Sequence, residues 1–240
     1  MHTIRLFLAV IIIFSFFLIG CSDDDDPVGS GGSGAPAAPL LRPVDCPAGL
    51  AASTNPYATY AENYLSYINA ITAFESYLTP AANATVTTTG TTPDTTIANW
   101  TIDSLTYDLH YSDNGSFKNW FVYLDGYDGS LLFDDRIFIH TNLEPADDSA
   151  GLFLAYPNPD NISTVLTWNW TTKDTVYTIT YDNGTANSYR AVLNPDGSGS
   201  VTYRVSGANN IIVTWVADGN SGTWQNVISS QSGTWNVIVK

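Results

Sequence analysis

The chain has 240 residues, with 8 basic and 23 acidic side chains and a formal net charge of −15. This balance argues against nucleic-acid binding, because contacts to phosphates need clustered Lys and Arg. Two cysteines are too few for a disulfide framework. The length suits one all-β domain or two small ones, and the many Gly, Asn, Asp, Thr and Ser residues indicate strands joined by tight turns.

Residues 1–20 have the features of a secretory signal peptide. Arg5 gives a positively charged start, and the apolar run that follows over 6–19 is too short for a comfortable membrane span. The run ends in Leu18-Ile19-Gly20-Cys21, which resembles the lipobox of bacterial lipoproteins. The resemblance implies that Cys21 is acylated and becomes the new N-terminus after cleavage. The alternatives are an ordinary cleaved signal peptide and a single N-terminal span.

An acidic stretch follows the lipobox. Ser22 precedes four aspartates, Asp23 to Asp26. This stretch resembles the surface-export signal of Bacteroidota lipoproteins, and Ser rather than Asp after the cysteine means that the usual inner-membrane retention signal is absent. The resemblance implies a lipid-anchored protein of the outer membrane, on its periplasmic or its extracellular face. The other interpretation is a solvated spacer. An acidic surface disfavours anionic headgroups, so the membrane is expected as a partner only through the Cys21 lipid.

A linker and then one helix are predicted before the strands begin. Residues 21–50 form the lipid-anchored flexible linker, with a Gly/Ser run over 29–34 and a stiffer Pro-rich part over 35–39. The amphipathic-helix segment is assigned to 51–80, and within it Asn55 is the predicted N-cap and Pro56 the first helical residue. Apolar residues recur at steps of three and four, which predicts one stripe packed on a sheet. The stripe consists of Tyr57, Tyr60, Tyr64, Tyr67, Ile71, Phe74 and Leu78.

Residues 81–240 are predicted to form an antiparallel β-meander of ten or eleven strands. Little signal occurs over 81–96, and a longer connection is predicted near 141–163. Turn motifs such as Asp113-Asn114-Gly115 and Asp218-Gly219-Asn220 separate the strands. The predicted fold is all-β, a barrel or half-open barrel with one N-terminal amphipathic helix. In outline this is similar to lipocalin-type and Lol-type lipid carriers, although the lipocalin GxW motif is missing and Lol-type carriers have further helices between strands.

Hairpin registers predict an aromatic ladder on one face of the sheet. A turn centred on Asp196 places Tyr189 opposite Tyr203, and the neighbouring turns extend the ladder in both directions. Aliphatic residues share this face, so it is expected inside the fold, as a core or as the lining of an apolar pocket. The ladder residues, which are the candidate ligand-binding residues, are Trp168, Tyr177, Tyr189, Tyr203, Trp215, Trp224 and Trp235, each paired with the next.

A second register prediction concerns the first hairpins. A turn at Asn114 pairs Tyr107 with Phe121 and Leu105 with Tyr123, which places these four side chains on the inside. Farther along the chain, Gly222-Thr223-Trp224 and Gly233-Thr234-Trp235 form a weak repeat of two copies, too few for a solenoid.

Motifs for catalysis are missing from the sequence: it contains no HExxH, no GxSxG and no phosphate-binding loop. His110 and His140 are expected on the surface, and turn chemistry explains the Asp-Gly loops without a metal. We therefore expect no enzymatic activity, no cofactor and no metal. The predicted function is that of a non-enzymatic surface lipoprotein that binds an apolar or amphipathic small molecule. The alternative is a structural or adhesive surface module with a solid core and a protein partner.

Overall fold

The computed structural model describes residues 35–89, 95–144, 149–161 and 163–237. The predictions for the signal peptide, for Cys21 and for the linker up to residue 34 concern residues outside this description. The described residues form one antiparallel sheet of thirteen strands in chain order. The strands are β1 (Thr85–Thr89), β2 (Thr95–Ile102), β3 (Leu105–Asp113), β4 (Lys118–Asp128), β5 (Leu131–Leu143), β6 (Ala150–Ala155), β7 (Leu166–Lys173), β8 (Val176–Asp182), β9 (Asn187–Leu193), β10 (Gly199–Val205), β11 (Ala208–Trp215), β12 (Ser221–Asn226) and β13 (Gln231–Asn236).

The fold class predicted from the sequence is confirmed. Each strand pairs with the next along the chain, and among the described strands β1 and β13 remain the two edges. The sheet is therefore not closed and forms a half-open barrel. Two strands, β1 and β6, were not predicted. β1 is a short run of Thr and Val without an alternating pattern, and β6 lies within the segment that was interpreted as a long connection.

The predicted helix over 51–80 is divided into shorter pieces. They are α1 (Ala48–Ala52), α2 (Pro56–Asn69), a 3₁₀ helix (Ala70–Phe74) and α3 (Glu75–Leu78). The predicted cap is confirmed, since Tyr57 N donates to Asn55 Oδ1 over 2.9 Å. Tertiary hydrogen bonds occupy the end of α2: Trp168 Nε1 donates to Ile68 O over 2.8 Å. That bond accompanies the change from α to 3₁₀ geometry at residue 70.

The buried face of α2 differs from the predicted tyrosine stripe. Tyr60 and Tyr67 are exposed, whereas small and aliphatic side chains pack on the sheet. The buried residues of α2 are Ala58, Ala61, Leu65 and Ile68. Alanines let the helix approach the strands closely, so the larger tyrosines lie beside the contact line and reach the sheet from its flanks. The predicted residues Ile71 and Leu78 are buried as expected.

Residues 35–47, which we call the strap, lie against the same face of the sheet as the helices. Leu41 and Val44 are buried. Trp120 Nε1 donates to Ala37 O over 3.1 Å, and the Tyr177 hydroxyl donates to Arg42 O over 3.0 Å. This part of the predicted linker therefore belongs to the folded unit. We call the face covered by the strap and the helices the inner face, and the opposite one the outer face.

Candidate functional site

The strand registers place all seven predicted ladder residues on the inner face. Tyr189 lies opposite Tyr203, as predicted. The other predicted pairs are wrong: Trp168 lies opposite Tyr181, and Tyr177 lies opposite Leu193. The β7–β8 turn falls two residues later than predicted, on Asp174 and Thr175. Such an error shifts the pairing by four positions, and an even shift leaves every side chain on the same face.

In the last four strands, tryptophans lie opposite glycines instead of opposite one another. Trp215 pairs with Gly199 and Gly222, and Gly222 also pairs with Trp235. Each indole covers the space that a side chain on the neighbouring strand would fill, an arrangement that compensates for glycine within a strand. The repeat noted in the sequence follows from this pairing, because Gly222 opposes Trp235 and Trp224 opposes Gly233.

Aromatic side chains of the helices cover the middle of the ladder. Tyr57 stacks on Trp224, with ring centroids 3.7 Å apart and planes at 6°. Tyr64 contacts the rings of Tyr189 and Tyr203 at 5.3 Å and 5.5 Å. These distances are those of direct ring packing, so no layer of ligand separates the helix from the ladder.

The remaining ladder residues are also occupied within the chain. Trp168 is fully buried and packs edge-on against Phe74, with centroids 5.7 Å apart. The strap carbonyl of Arg42 accepts the hydroxyl of Tyr177. Trp215 and Trp235 are buried, and their Nε1 atoms donate to Gly197 O over 3.3 Å and to Thr214 O over 3.2 Å. Buried polar atoms satisfied in this way are typical of a core.

Burial raises the pKa of the tyrosines at this interface. The pKa of Tyr181 rises to about 12, chiefly because burial removes water and further because Tyr189 and Asp182 are near. The pKa of Tyr189 rises to about 12 for the same first reason, with Tyr67 and Tyr203 contributing. A phenolate at these positions is therefore unfavourable in the folded state.

Alkaline solution is expected to destabilise the fold between pH 10 and pH 12. Tyr181 and Tyr189 keep their protons up to a pKa of about 12 when folded, whereas the ordinary value is 10.0. Their contribution is complete below pH 10 and is lost as the pH rises toward 12. Urea unfolding at pH 8 and pH 11.5 measures it, and the Tyr181→Phe/Tyr189→Phe variant should show a smaller difference. Equal pH dependence in both proteins would contradict this explanation.

Two clefts on the surface of the described residues are lined by none of the ladder residues. The larger, about 320 Å³, lies on the outer face of β2–β5 and is lined by Asn99, Thr106, Asp108, Tyr123, Leu124, Asp125 and Asp135. At its margin His110 Nε2 lies 3.2 Å from Asp108 Oδ2. The smaller cleft, about 270 Å³, lies at the β4–β5 hairpin. The space beside the ladder that an apolar pocket for a small molecule would need is taken, at Trp224, Tyr189 and Tyr203, by the rings of Tyr57 and Tyr64.

The second register prediction, which concerns the β3–β4 hairpin, is wrong. Tyr107 pairs with Leu124 and Leu105 with Gly126, three positions from the predicted register. An odd error exchanges the faces, so Phe121 and Tyr123 lie on the outer face while Leu124 is buried. The cause is the loop, in which the Asn114 side chain accepts the backbone N–H groups of Ser116 and Phe117 and extends the turn to four residues.

His110 and His140 do not meet, because Phe121 lies between them. Phe121 pairs with both histidines across the strands, and its ring stacks on His140 at 4.3 Å. Burial lowers the pKa of His140 below its ordinary value. The outer face thus presents aromatic rings as well as polar side chains at this end of the sheet.

The described residues contain no group of three or more His, Cys, Asp or Glu side chains that could hold a metal ion. None of their helices is long and apolar enough to span a bilayer. Comparison of the chain with family models, with curated proteins and with solved structures finds no match. The sequence could not reveal that the helix covers the ladder, because the tyrosines of the helix and those of the strands are far apart in the chain.

Proposed function

We propose that the protein is a lipid-anchored surface lipoprotein whose β domain is a non-enzymatic structural or adhesive module with a solid core. The observation that supports the solid core is the direct stacking of Tyr57 and Tyr64 on the ladder, at 3.7 Å for Tyr57 on Trp224. A carrier of apolar molecules needs space beside its aromatic side chains. Here the chain's own helix occupies that space.

The outer surface is then the part available to a partner. It combines Thr- and Asn-bearing strands, hairpin loops and the two clefts, and it is acidic overall. The proposed lipid on Cys21 rests on the lipobox resemblance and on the acidic stretch after it. Several acyl chains on one residue would hold the module at a membrane, whereas a single chain binds only marginally.

Mass spectrometry of the full-length gene product, purified from membranes of its bacterial host, tests both parts of the proposal. Under denaturing conditions we expect the chain from Cys21 plus covalent acyl groups, and the Cys21→Ser variant should lack the acyl mass. Under native conditions, after detergent removal in the spectrometer, we expect no further small molecule on the protein.

A ligand that co-purifies and is lost in a folded Trp215→Ala/Trp224→Ala variant would overturn the solid-core proposal. The matched control is Ile228→Ala, since Ile228 is exposed on the β12–β13 turn. An unmodified Cys21 in the membrane fraction would separately overturn the lipid anchor. The two results are independent, because one concerns covalent mass and the other non-covalent mass.

A further inference from the structure

Four large apolar side chains are exposed on two neighbouring hairpins of the sheet. The β4–β5 hairpin carries Tyr127, Leu131 and Leu132, which are 55%, 39% and 52% exposed. The β2–β3 hairpin carries Ile102, which is 51% exposed. The hairpins are joined, since Tyr127 N donates to Ser104 O over 3.3 Å. We call Ile102, Tyr127, Leu131 and Leu132 the apolar tip.

The apolar tip lies far from the point at which the strap begins. Ala37 O accepts the hydrogen bond of Trp120, near the start of β4, whereas Tyr127 lies near the end of that strand. The strand between Trp120 and Tyr127 spans roughly 23 Å at about 3.3 Å per residue. The tip is therefore presented at the end of the sheet opposite the strap.

Carboxylates surround the apolar tip, and one basic residue lies among them. The cleft of about 270 Å³ beside it is lined by Leu131, Leu132 and Pro159 together with Asp134, Asp160 and Arg136. Asp103, in the β2–β3 turn, is exposed as well. The aspartates of the two hairpins and the cleft are Asp103, Asp125, Asp128, Asp134, Asp135 and Asp160, and Arg136 is the basic residue.

This charge selects among the possible occupants of the tip. A second copy would bring the same carboxylates to the interface, and like charges at close range are unfavourable. An anionic bilayer surface repels them for the same reason. A partner with positive charges beside apolar side chains satisfies both parts of the surface, because it covers the exposed apolar area and pairs with the carboxylates.

We infer that the apolar tip is the docking surface for a polypeptide segment in which apolar side chains are flanked by Lys and Arg. The inference rests on the proposed adhesive role and gives the chemistry of the partner. Tyr127 and Leu132, which pair directly across the β4–β5 hairpin, are the anchors that lose water, while Asp134 and Asp160 orient the basic side chains and raise the rate of encounter.

A synthetic peptide of alternating Lys and Leu that carries one covalent fluorescent label is the probe. The fluorescence anisotropy of the label measures the dissociation constant of the peptide. Residues 22–240 are used, which retain everything the structure describes. We expect binding that weakens with salt. The Tyr127→Ser/Leu132→Ser variant should weaken it about tenfold or more, equivalent to about 1.4 kcal/mol per tenfold. The Val227→Ser/Ile228→Ser variant, on the exposed β12–β13 hairpin end, is the matched control and should bind like the wild type.

A second pair of variants isolates the charge. Asp134→Asn/Asp160→Asn should weaken binding at low salt, whereas Asp174→Asn, in the exposed β7–β8 turn at the other end of the sheet, should not. A peptide with Ser in place of Leu should bind more weakly to the wild type and respond little to the Tyr127→Ser/Leu132→Ser change.

The inference is overturned if the peptide does not bind, or if the tip variant and the Val227/Ile228 control lose affinity equally. It is also overturned if the tip binds anionic phosphatidylglycerol vesicles, or if it mediates self-association in sedimentation experiments. None of these outcomes affects the mass-spectrometric test of the solid core, so failure of the docking surface and failure of the proposed function remain distinguishable.

Discussion

Replacement of Trp168 by alanine is expected to lower the free energy of unfolding by about 3–5 kcal/mol, the usual range for a buried tryptophan. Trp168 is fully buried between the 3₁₀ helix and the strands, with Phe74 and Phe153 edge-on and Tyr181 stacked at 4.6 Å. Truncation removes these contacts and leaves Ile68 O without its donor. Urea unfolding followed by circular dichroism measures the loss.

Two further variants make the result interpretable. Trp168→Phe keeps an aromatic ring but removes the Nε1 donor, so it should cost about 1–3 kcal/mol, as expected for an unsatisfied buried carbonyl. Ile228→Ala changes an exposed residue of the β12–β13 turn and should stay within about 0.5 kcal/mol of the wild type. If Trp168→Ala were as stable as Ile228→Ala, the ladder would not be a core, and the result would favour the small-molecule-binding function predicted from the sequence.

Substitution of Gly222 by alanine is expected to lower the free energy of unfolding by about 1–3 kcal/mol, the range for overpacking in a well-filled region. Gly222 lies between Trp215 and Trp235 on the two neighbouring strands. A Cβ atom there would overlap the backbone oxygen of Thr214 and lie 2.7 Å from Trp235 Nε1. Backbone cannot move aside without disturbing the β11–β12 pairing.

Gly233→Ala is the matched control for Gly222→Ala, because both glycines lie opposite a tryptophan in the same hairpin. The three atoms nearest to a Cβ at Gly233 are ring atoms of Trp224, at 2.9–3.0 Å. The partly exposed Trp224 ring can shift together with the Tyr57 ring stacked on it more easily than the β11–β12 backbone can move, so this variant should lose less stability than Gly222→Ala. The same urea experiment decides, and a larger loss for Gly233→Ala would contradict the view that Gly222 is constrained by backbone contact.

The ladder shows how much a register prediction can recover. The predicted β7–β8 turn lies two residues before the observed one, which shifts the strand pairing by an even number of positions. Trp168 and Tyr177 nevertheless lie on the predicted face, because side chains alternate with a period of two. In the β3–β4 hairpin the error was odd, and Phe121 and Tyr123 therefore lie on the face opposite to that predicted. Turn chemistry decided the outcome, since Asn114 accepts two backbone donors and lengthens the loop.

The sequence pattern also predicts the wrong partners for the ladder tryptophans. It pairs aromatic residues with one another, whereas Trp215, Trp224 and Trp235 pair with glycines in β10, β12 and β13. An indole is wide enough to cover a neighbouring strand position, so the smallest residue opposite it gives the better fit. This preference depends on side-chain volume across strands, which alternation within one strand does not report.

By itself the sequence determined the all-β class, the consecutive order of strands, the start of α2 at Asn55 and Pro56, and the face on which the ladder lies. These features are local, since they depend on turn residues, capping and a period of two. Only the tertiary structure decided what covers the ladder. Tyr57 and Trp224 stack although 167 positions separate them in the chain. Long-range packing of helix and strap against the sheet therefore made the predicted ladder face part of the core.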